Sequence, residues 1–241
     1  MINFFRTIRQ RLLADNKLSK YMMYAFGEIV LVVIGILIAL SINNWNERRI
    51  SQINESLLVK NIIEDLRLDS SHFNKSLDEL AIQLKVVDEL IAKALDIEVP
   101  LDHEAGGYVR YSSDFRPISQ RNHAEAVNNM ENEYTRELLQ GYFLKEDDVL
   151  DLFLEYEDII HNKIRPYLSD VGMHNLASIY EEDNEIIQVL LVPTILEEQL
   201  KQVKFQQLLF ERRLKTSSFD MLLKELKLAN QNLLKSLAAI E

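Results

Sequence analysis

One stretch near the start of the chain constrains the fold more than any other, because residues 29–46 contain no charged side chain. Residues 29–40 are apolar at every position except Gly35. A helix needs about 20 mostly apolar residues to cross a bilayer, and the apolar character extends this run in both directions. The sequence therefore predicts one transmembrane helix at residues 24–45, with Trp45 placed at a membrane–water interface.

Two other structures fit an apolar run of this length. A buried core helix of a soluble protein can be equally apolar, and a cleaved signal peptide would use small residues such as Ala39 and Ser41 at its cleavage site. Basic residues before the run and aromatic residues at its ends are typical of a membrane span instead. The length of the run, extended backwards through Glu28 and Tyr24, is atypical of a signal peptide.

Charge is distributed unevenly along the chain. Residues 1–46 carry a net charge of +3, and the rest of the chain brings the total to −11. Basic residues flank membrane helices on their cytoplasmic side, so we expect a cytoplasmic N-terminus and an acidic extracytoplasmic domain at residues 46–241. The absence of cysteine fits an oxidising compartment. The acidic balance argues against a nucleic-acid partner.

The first 23 residues predict a basic amphipathic arm on the cytoplasmic side. Apolar residues of the segment 2–13 fall on one helical face, while Arg6, Arg9 and Arg11 lie around the other side. Such a segment beside a membrane helix lies on the anionic lipid surface, so membrane lipid is an expected partner. An arm that binds a protein is the alternative.

Three residues of the predicted span are candidates for interaction. Glu28 is its one ionisable residue, and a carboxyl in a membrane helix is a functional candidate by default. Its position near the cytoplasmic end also fits simple contact with headgroups, water or Lys20. Gly35 and Ala39 form a pair of small residues one turn apart, which permits close contact between two helices.

The residues around this helix resemble those of a known family. FFRTIRQRLL at residues 4–13 and KYMMYAFGEIVLVVIGILIALSINNWNE at residues 20–47 are similar to an uncharacterised family of single-pass membrane proteins abundant in Bacteroidota, a domain of unknown function. Residues 203–240 resemble the C-terminal helical region of that family. The resemblance implies a bacterial inner-membrane location and a periplasmic domain, and it supplies no activity, cofactor or catalytic residue.

Two later segments predict long helices, because neither glycine nor proline occurs between Trp45 and Val99 or after Thr194. Residues at alternating four-three spacing predict a coiled-coil-like seam in each. In the first segment they are Val59, Ile63, Leu66, Ser70, Phe73, Leu77, Leu80, Leu84, Val87, Ile91 and Ala94. In the second they are Phe219, Leu223, Leu226, Asn230, Leu233, Leu237 and Ile240.

We expect these two helices to pair antiparallel, with the numbers of facing residues adding to about 300. That register would place Ser70 opposite Asn230 and Arg212 near Asp88. The predicted fold is therefore all-α: a transmembrane helix that continues into an elongated helical bundle containing a long antiparallel coiled-coil-like pair.

The soluble part divides by its glycines and prolines into four predicted segments. They are a long helix at 46–97, a loop at 98–118 with an extended piece at Tyr108–Tyr111, shorter helices at 119–200, and a long C-terminal helix at 201–240. Within the third segment Ser119 is the expected cap of a short helix. Gly141 is expected to stop a second helix, and a third is expected to begin at Asp147 or Asp148.

The sequence contains no phosphate-binding loop, hydrolase elbow or zinc-protease motif. Asp158 and His161 match half of a di-iron motif that needs a second copy, so we predict no metal, no cofactor and no catalytic residue. The acidic run 181–185 lacks the spacing of a calcium loop. The sequence favours a non-enzymatic scaffold that binds a protein partner or a second copy of itself. A sensory or ligand-binding domain coupled to a membrane partner is the alternative, and an enzyme ranks third.

Overall fold

The computed structural model describes residues 18–99, 105–180 and 190–239, and internal contacts divide the chain into two units, Met1–Leu57 and Leu58–Glu241. The described residues form helices and no β-strand, with one isolated bridge between His174 and Leu191. The prediction of an all-α fold is therefore confirmed.

Six α-helices lie in the described ranges: α1 (Leu18–Ala94), α2 (Ser119–Asn128), α3 (Glu133–Asp158), α4 (Arg165–Asp170), α5 (Pro193–Gln199) and α6 (Val203–Ala238). Short 3₁₀ helices occupy Ala105–Arg110 and Leu176–Tyr180, and a π-helix at Ile159–Ile164 joins α3 to α4. The predicted membrane span falls within α1, and the first predicted long helix does so up to Ala94, three residues before its expected end.

The middle of the chain differs from its prediction in three places. The helix expected to stop at Gly141 continues, and α3 runs through that glycine and through Asp147 as one helix of 26 residues. Tyr108 lies in a 3₁₀ helix rather than in an extended piece. Ser119 is the first residue of α2 and does not cap that helix. Its hydroxyl group is instead within hydrogen-bond distance of two carboxyl groups on other helices.

The core of the second unit forms where α1, α3 and α6 meet. Aromatic rings fill its centre: Phe219 lies 5.3 Å from Phe153 and 5.1 Å from Tyr156, measured between ring centroids. Phe115 enters this cluster from the irregular segment 111–118, which we call the strap. Its ring stacks on Phe73 at 5.9 Å and is only 3% exposed. The strap is thus anchored in the core through one large side chain.

The two long helices pair antiparallel, as predicted. Asn230 of α6 donates a hydrogen bond to the carbonyl of Leu66, and Arg213 contacts Asp88. As residue numbers rise along α1, those of their partners in α6 fall, and the sums of the two pairs are 296 and 301. The predicted register is therefore correct to within about one helical turn. The individual partners are not: Asn230 contacts Leu66 rather than Ser70, and Asp88 pairs with Arg213 rather than Arg212.

The face that α1 buries also differs in part from the predicted seam. Leu66, Phe73, Leu80 and Val87 are buried as expected. The seam positions between them, such as Ser70 and Leu77, are only partly buried. The preceding residue is buried instead, which gives a second set of buried positions: Ile62, Asp69, Ser76, Gln83 and Leu90. Three of these five, Asp69, Ser76 and Gln83, are polar. They form a row of buried polar residues, spaced seven apart, on the side of α1 that faces the strap.

Candidate functional site

In the first unit, the apolar segment of α1 is exposed along its length. Among its large side chains, Ile29 is 61% exposed, Leu37 is 57% exposed and Trp45 is 64% exposed. The most apolar eighteen-residue window of this helix has none of its residues buried. A core helix of a soluble protein would be mostly buried, so the segment does not have that role here. Its length and composition are sufficient to cross a membrane.

The candidate residues of this segment lie on an accessible helix surface. A Cβ atom built at Gly35 meets no heavy atom within 4 Å beyond its own helix, and Ala39 follows one turn later. Glu28 is exposed near the beginning of the apolar segment. The guanidinium carbon of Arg49 lies 6.0 Å from the Trp45 ring centroid, so a cation lies beside the aromatic residue at the end of the predicted span. Arg6, Arg9 and Arg11 lie outside the described residues.

In the second unit, two buried carboxyl groups share one hydroxyl group. The Oγ atom of Ser119 lies 2.7 Å from Oδ2 of Asp69 and 2.8 Å from Oε1 of Glu146. Asp69 also accepts hydrogen bonds from the backbone N–H groups of Ile118 and Ser119, at 2.9 and 3.0 Å. Asp69 is 0% exposed and Glu146 is 1% exposed. This arrangement fixes the start of α2 against α1 and α3.

The hydrogen count of this cluster assigns a proton to Glu146. A hydroxyl group has one hydrogen, so it can donate to only one of the two carboxyl groups. Asp69 accepts from two backbone N–H groups, whereas Oε2 of Glu146 has no hydrogen-bond partner, so Glu146 is the carboxyl group that holds the proton. Burial, reinforced by the charge of Asp69 and opposed by the hydrogen bond to Ser119, raises the pKa of Glu146 from 4.5 to about 7.

Asn230 and Tyr142 continue this cluster toward α6. The side-chain amide of Asn230 donates to the carbonyl of Leu66 at 3.0 Å and to the hydroxyl oxygen of Tyr142 at 3.2 Å. Burial and the nearby Glu146 carboxyl both raise the pKa of Tyr142 far above its ordinary range, so it remains a neutral phenol. The polar interruption in the α6 seam therefore pairs with α3 as well as with α1.

A second buried polar cluster surrounds Arg212. Its Nη2 atom donates to Oε1 of Gln83 at 2.6 Å and to the carbonyl of Tyr111 at 2.7 Å. The guanidinium carbon lies 4.9 Å from the ring centroid of Tyr156, whose hydroxyl group donates to Gln83 and accepts from the N–H of Ser113. Arg212 is 0% exposed. Because burial disfavours its charge, the pKa of Arg212 is lowered. The cluster connects α1, α3 and α6 to the strap.

Basic side chains gather beside this cluster. Arg165 donates from Nε to the carbonyl of Arg110 at 3.0 Å, and its Nη1 lies 3.3 Å from Nδ1 of His161 in the π-helix. Partial burial and the nearby charge of Arg110 lower the pKa values of both Arg165 and His174. Arg165 and Arg212 thus hold the carbonyls of two successive residues at the start of the strap.

An open hollow of about 500 Å³ lies near the end of α1 and the start of α6. Charged side chains of both signs line it: Lys93, Asp96, Glu197 and Lys201. Gln206 also contributes, and its amide donates to the carbonyls of Leu200 and Ala94. Such a lining suits a polar ligand better than an apolar one. By contrast, the carboxyl and arginine clusters are sealed from solvent, so a substrate cannot reach them.

Sequence reasoning missed both buried clusters. Asp69, Gln83 and Glu146 are not singled out among the predicted site residues, because a polar residue in a helix usually faces solvent. One signal was present: Asp69, Ser76 and Gln83 recur every seven residues, each immediately before a residue of the predicted seam. Ser76 donates to the carbonyl of Asp114 at 2.6 Å, and Gln83 donates to Ser113 at 3.0 Å. All three residues of the row are therefore satisfied by the strap or by the start of α2.

Comparison with known proteins gives one match. A family model described as a family of unknown function, DUF6090, matches residues 28–104. The matched region includes most of the apolar segment and the second-unit part of α1. Searches among curated proteins and among solved structures returned no match for this chain. The similarity to a family of unknown function agrees with the expected kind of family, and the apolar helix is consistent with an uncharacterised membrane protein.

Proposed function

We propose that this protein is a single-pass protein of a bacterial inner membrane that acts by binding other proteins rather than by catalysis. Residues 24–45 of α1 are its membrane span, the N-terminus is cytoplasmic, and the helical domain lies in the periplasm. Membrane lipid contacts the span and the basic arm, and protein partners, including further copies of the chain, contact the domain. The observation that carries this proposal is the apolar segment of α1, exposed throughout.

The absence of a catalytic role is supported by where the ionisable groups lie. The carboxyl pair and the buried arginine are the most unusual groups among the described residues, and both hold the strap in place. An enzyme needs such groups at an accessible surface, within reach of a substrate. A domain that uses them to fix its own shape presents a rigid surface to a partner, as a scaffold requires.

Membrane extraction tests the anchoring directly. The wild-type chain should remain in membranes washed with alkaline carbonate and keep its full mass, because a cleaved signal peptide would remove the apolar segment. Ile34→Arg with Leu37→Arg places two charges near the middle of the span, at about 2.5–3.5 kcal/mol each, and should release the chain. Leu176→Arg, at a residue 74% exposed in the second unit, is the matched control and should stay in the membrane. Release of the wild-type chain would refute the anchoring.

The hollow near the end of α1 favours a second candidate function, a periplasmic domain that binds a polar ligand and reports to a membrane partner. Its lining of two lysines and two carboxylates would recognise a zwitterionic or otherwise polar small molecule. Native mass spectrometry of the chain purified in mild detergent discriminates the two functions. A retained small molecule that is lost in Lys93→Ala with Lys201→Ala supports ligand binding. Retained protein subunits support the scaffold.

A further inference from the structure

The outer face of α6 carries a second apolar stripe, and none of the residues that the structure describes covers it. The stripe consists of Val203, Phe210, Leu214, Met221 and Leu228, which are 69%, 51%, 41%, 55% and 59% exposed. At about 100° per residue these five positions fall within a sector of about 40°, and they extend over about 38 Å. With the same rotation per residue, these five positions lie on the side of α6 opposite its buried face. A helix that is apolar on two opposite sides has two packing partners.

Charged side chains flank the stripe with opposite signs on its two sides. Arg213 and Lys224 lie on one flank, where each contacts an aspartate of its own chain and keeps 41% and 62% of its side chain exposed. Glu211 and Glu225 lie exposed on the other flank. When two identical helices pack parallel, the left flank of each meets the right flank of the other; when they pack antiparallel, like flanks meet. Parallel self-pairing therefore brings acidic residues to basic ones, whereas antiparallel pairing brings acid to acid.

The proposed membrane anchor also favours pairing between copies of the chain, because it keeps their helical domains on the same side of one membrane. Confinement to one membrane raises the effective concentration of the stripes. Ser217 interrupts the apolar pattern, and Lys224 lies at its edge, where it donates to Asp220 of its own helix at 2.6 Å and stays largely exposed. Polar layers of this kind are tolerated in paired helices and fix their register.

We propose that the outer stripe of α6 is a self-association surface, and that it binds the same stripe of a second copy of this chain, parallel and in register. The proposal rests on the membrane anchoring proposed above, and it names the partner and the surface for the interaction role. The stripe of one copy covers that of the other, and Glu211 and Glu225 of each copy lie beside Arg213 and Lys224 of its partner.

Single-cysteine cross-linking tests this pairing, because the native chain contains no cysteine. In native membranes Leu214→Cys, Met221→Cys and Leu228→Cys should each form disulfide-linked dimers on mild oxidation. Lys75→Cys and Lys85→Cys are controls on α1, with side chains 79% and 77% exposed, and should form several-fold less. Dimers at only one stripe position would indicate an antiparallel pair and overturn the proposal, as would equal cross-linking at the controls.

A charge substitution provides the second test. Leu228→Glu should halve the protein mass measured by light scattering in mild detergent, with unchanged helicity by circular dichroism. Leu68→Glu, at a leucine 53% exposed on α1, is the matched control and should leave the mass unchanged. If both variants keep the wild-type mass, the stripe is not the interface. Carbonate extraction of the same membranes separates the two proposals: a chain that stays anchored without cross-linking refutes the self-association alone.

Discussion

The proton assigned to Glu146 makes the stability of the helical domain depend on pH in a defined direction. Burial raises the pKa of Glu146 in the folded state from 4.5 to about 7. Between these two values the folded chain holds a proton that the unfolded chain has lost. The contribution of Glu146 to the free energy of unfolding is therefore fully present below about pH 4.5. It falls as the pH rises and is lost above about pH 7. One pKa unit corresponds to about 1.4 kcal/mol, so the full loss is about 3 kcal/mol.

Glu146→Gln removes this dependence while keeping the shape of the side chain. The amide N–H₂ group can donate to Ser119 Oγ as the protonated acid does, and it carries no charge at any pH. We expect the variant and the wild type to have similar free energies of unfolding at pH 5. At pH 8 the variant should be more stable than the wild type by about 3 kcal/mol, because the wild type has lost the stability contributed by protonated Glu146.

Urea unfolding of the full chain in detergent, followed by circular dichroism at pH 5, 6, 7 and 8, measures this difference. Other titrating groups are common to both proteins and cancel in the comparison. Glu137→Gln, at an exposed position on the same helix, is the matched control and should follow the wild type at every pH. An advantage of Glu146→Gln that stays the same from pH 5 to pH 8 would show that Glu146 is already ionised in the fold, and the proton assignment would be wrong.

Three further substitutions test the strap and its buried partners. Asp69→Asn replaces the carboxylate oxygen that accepts from Ser119 Oγ and N–H, and we expect a loss of about 1–3 kcal/mol in urea unfolding. Gln83→Leu leaves the buried Arg212 without its 2.6 Å acceptor and should cost about 3 kcal/mol, whereas Gln120→Leu, at an exposed hydrogen bond, should cost under about 0.5 kcal/mol. Phe115→Ala removes a ring from the aromatic cluster and should lower the free energy of unfolding by about 3–5 kcal/mol. If Phe115→Ala lowered it by less than Gln120→Leu does, Phe115 would not anchor the strap.

The features predicted correctly are those that local sequence encodes. A run of uncharged residues, the absence of glycine and proline, and a repeated spacing each determine a helix without reference to distant residues. Helix pairing also followed, because two seams of similar length must each be buried, and matching their ends sets the register. The contacts of Leu66 with Asn230 and of Asp88 with Arg213 agree with that register to within about one helical turn, although the predicted partners were Ser70 and Arg212.

The features that were missed depend on contacts between distant residues. Gly141 was expected to stop a helix, but a glycine costs a helix only about 1 kcal/mol. Burial of the neighbouring Leu139, Tyr142 and Phe143 offsets that cost. The buried position of Asp69 was hidden because its partners lie about fifty residues away, at Ile118 and Ser119. A polar residue can occupy a core position only when such partners exist, and no local pattern reports them.

The central claim is that α1 anchors the chain in a membrane with the helical domain on the outer side. Cysteine labelling in intact spheroplasts tests it most directly, because no native cysteine reacts. A membrane-impermeant maleimide should label Lys75→Cys, whose side chain is 79% exposed in the second unit. It should label Asn16→Cys only after the membrane is permeabilised with detergent. Labelling of Asn16→Cys alone in intact cells would reverse the orientation, and equal labelling of both would show that no membrane separates them.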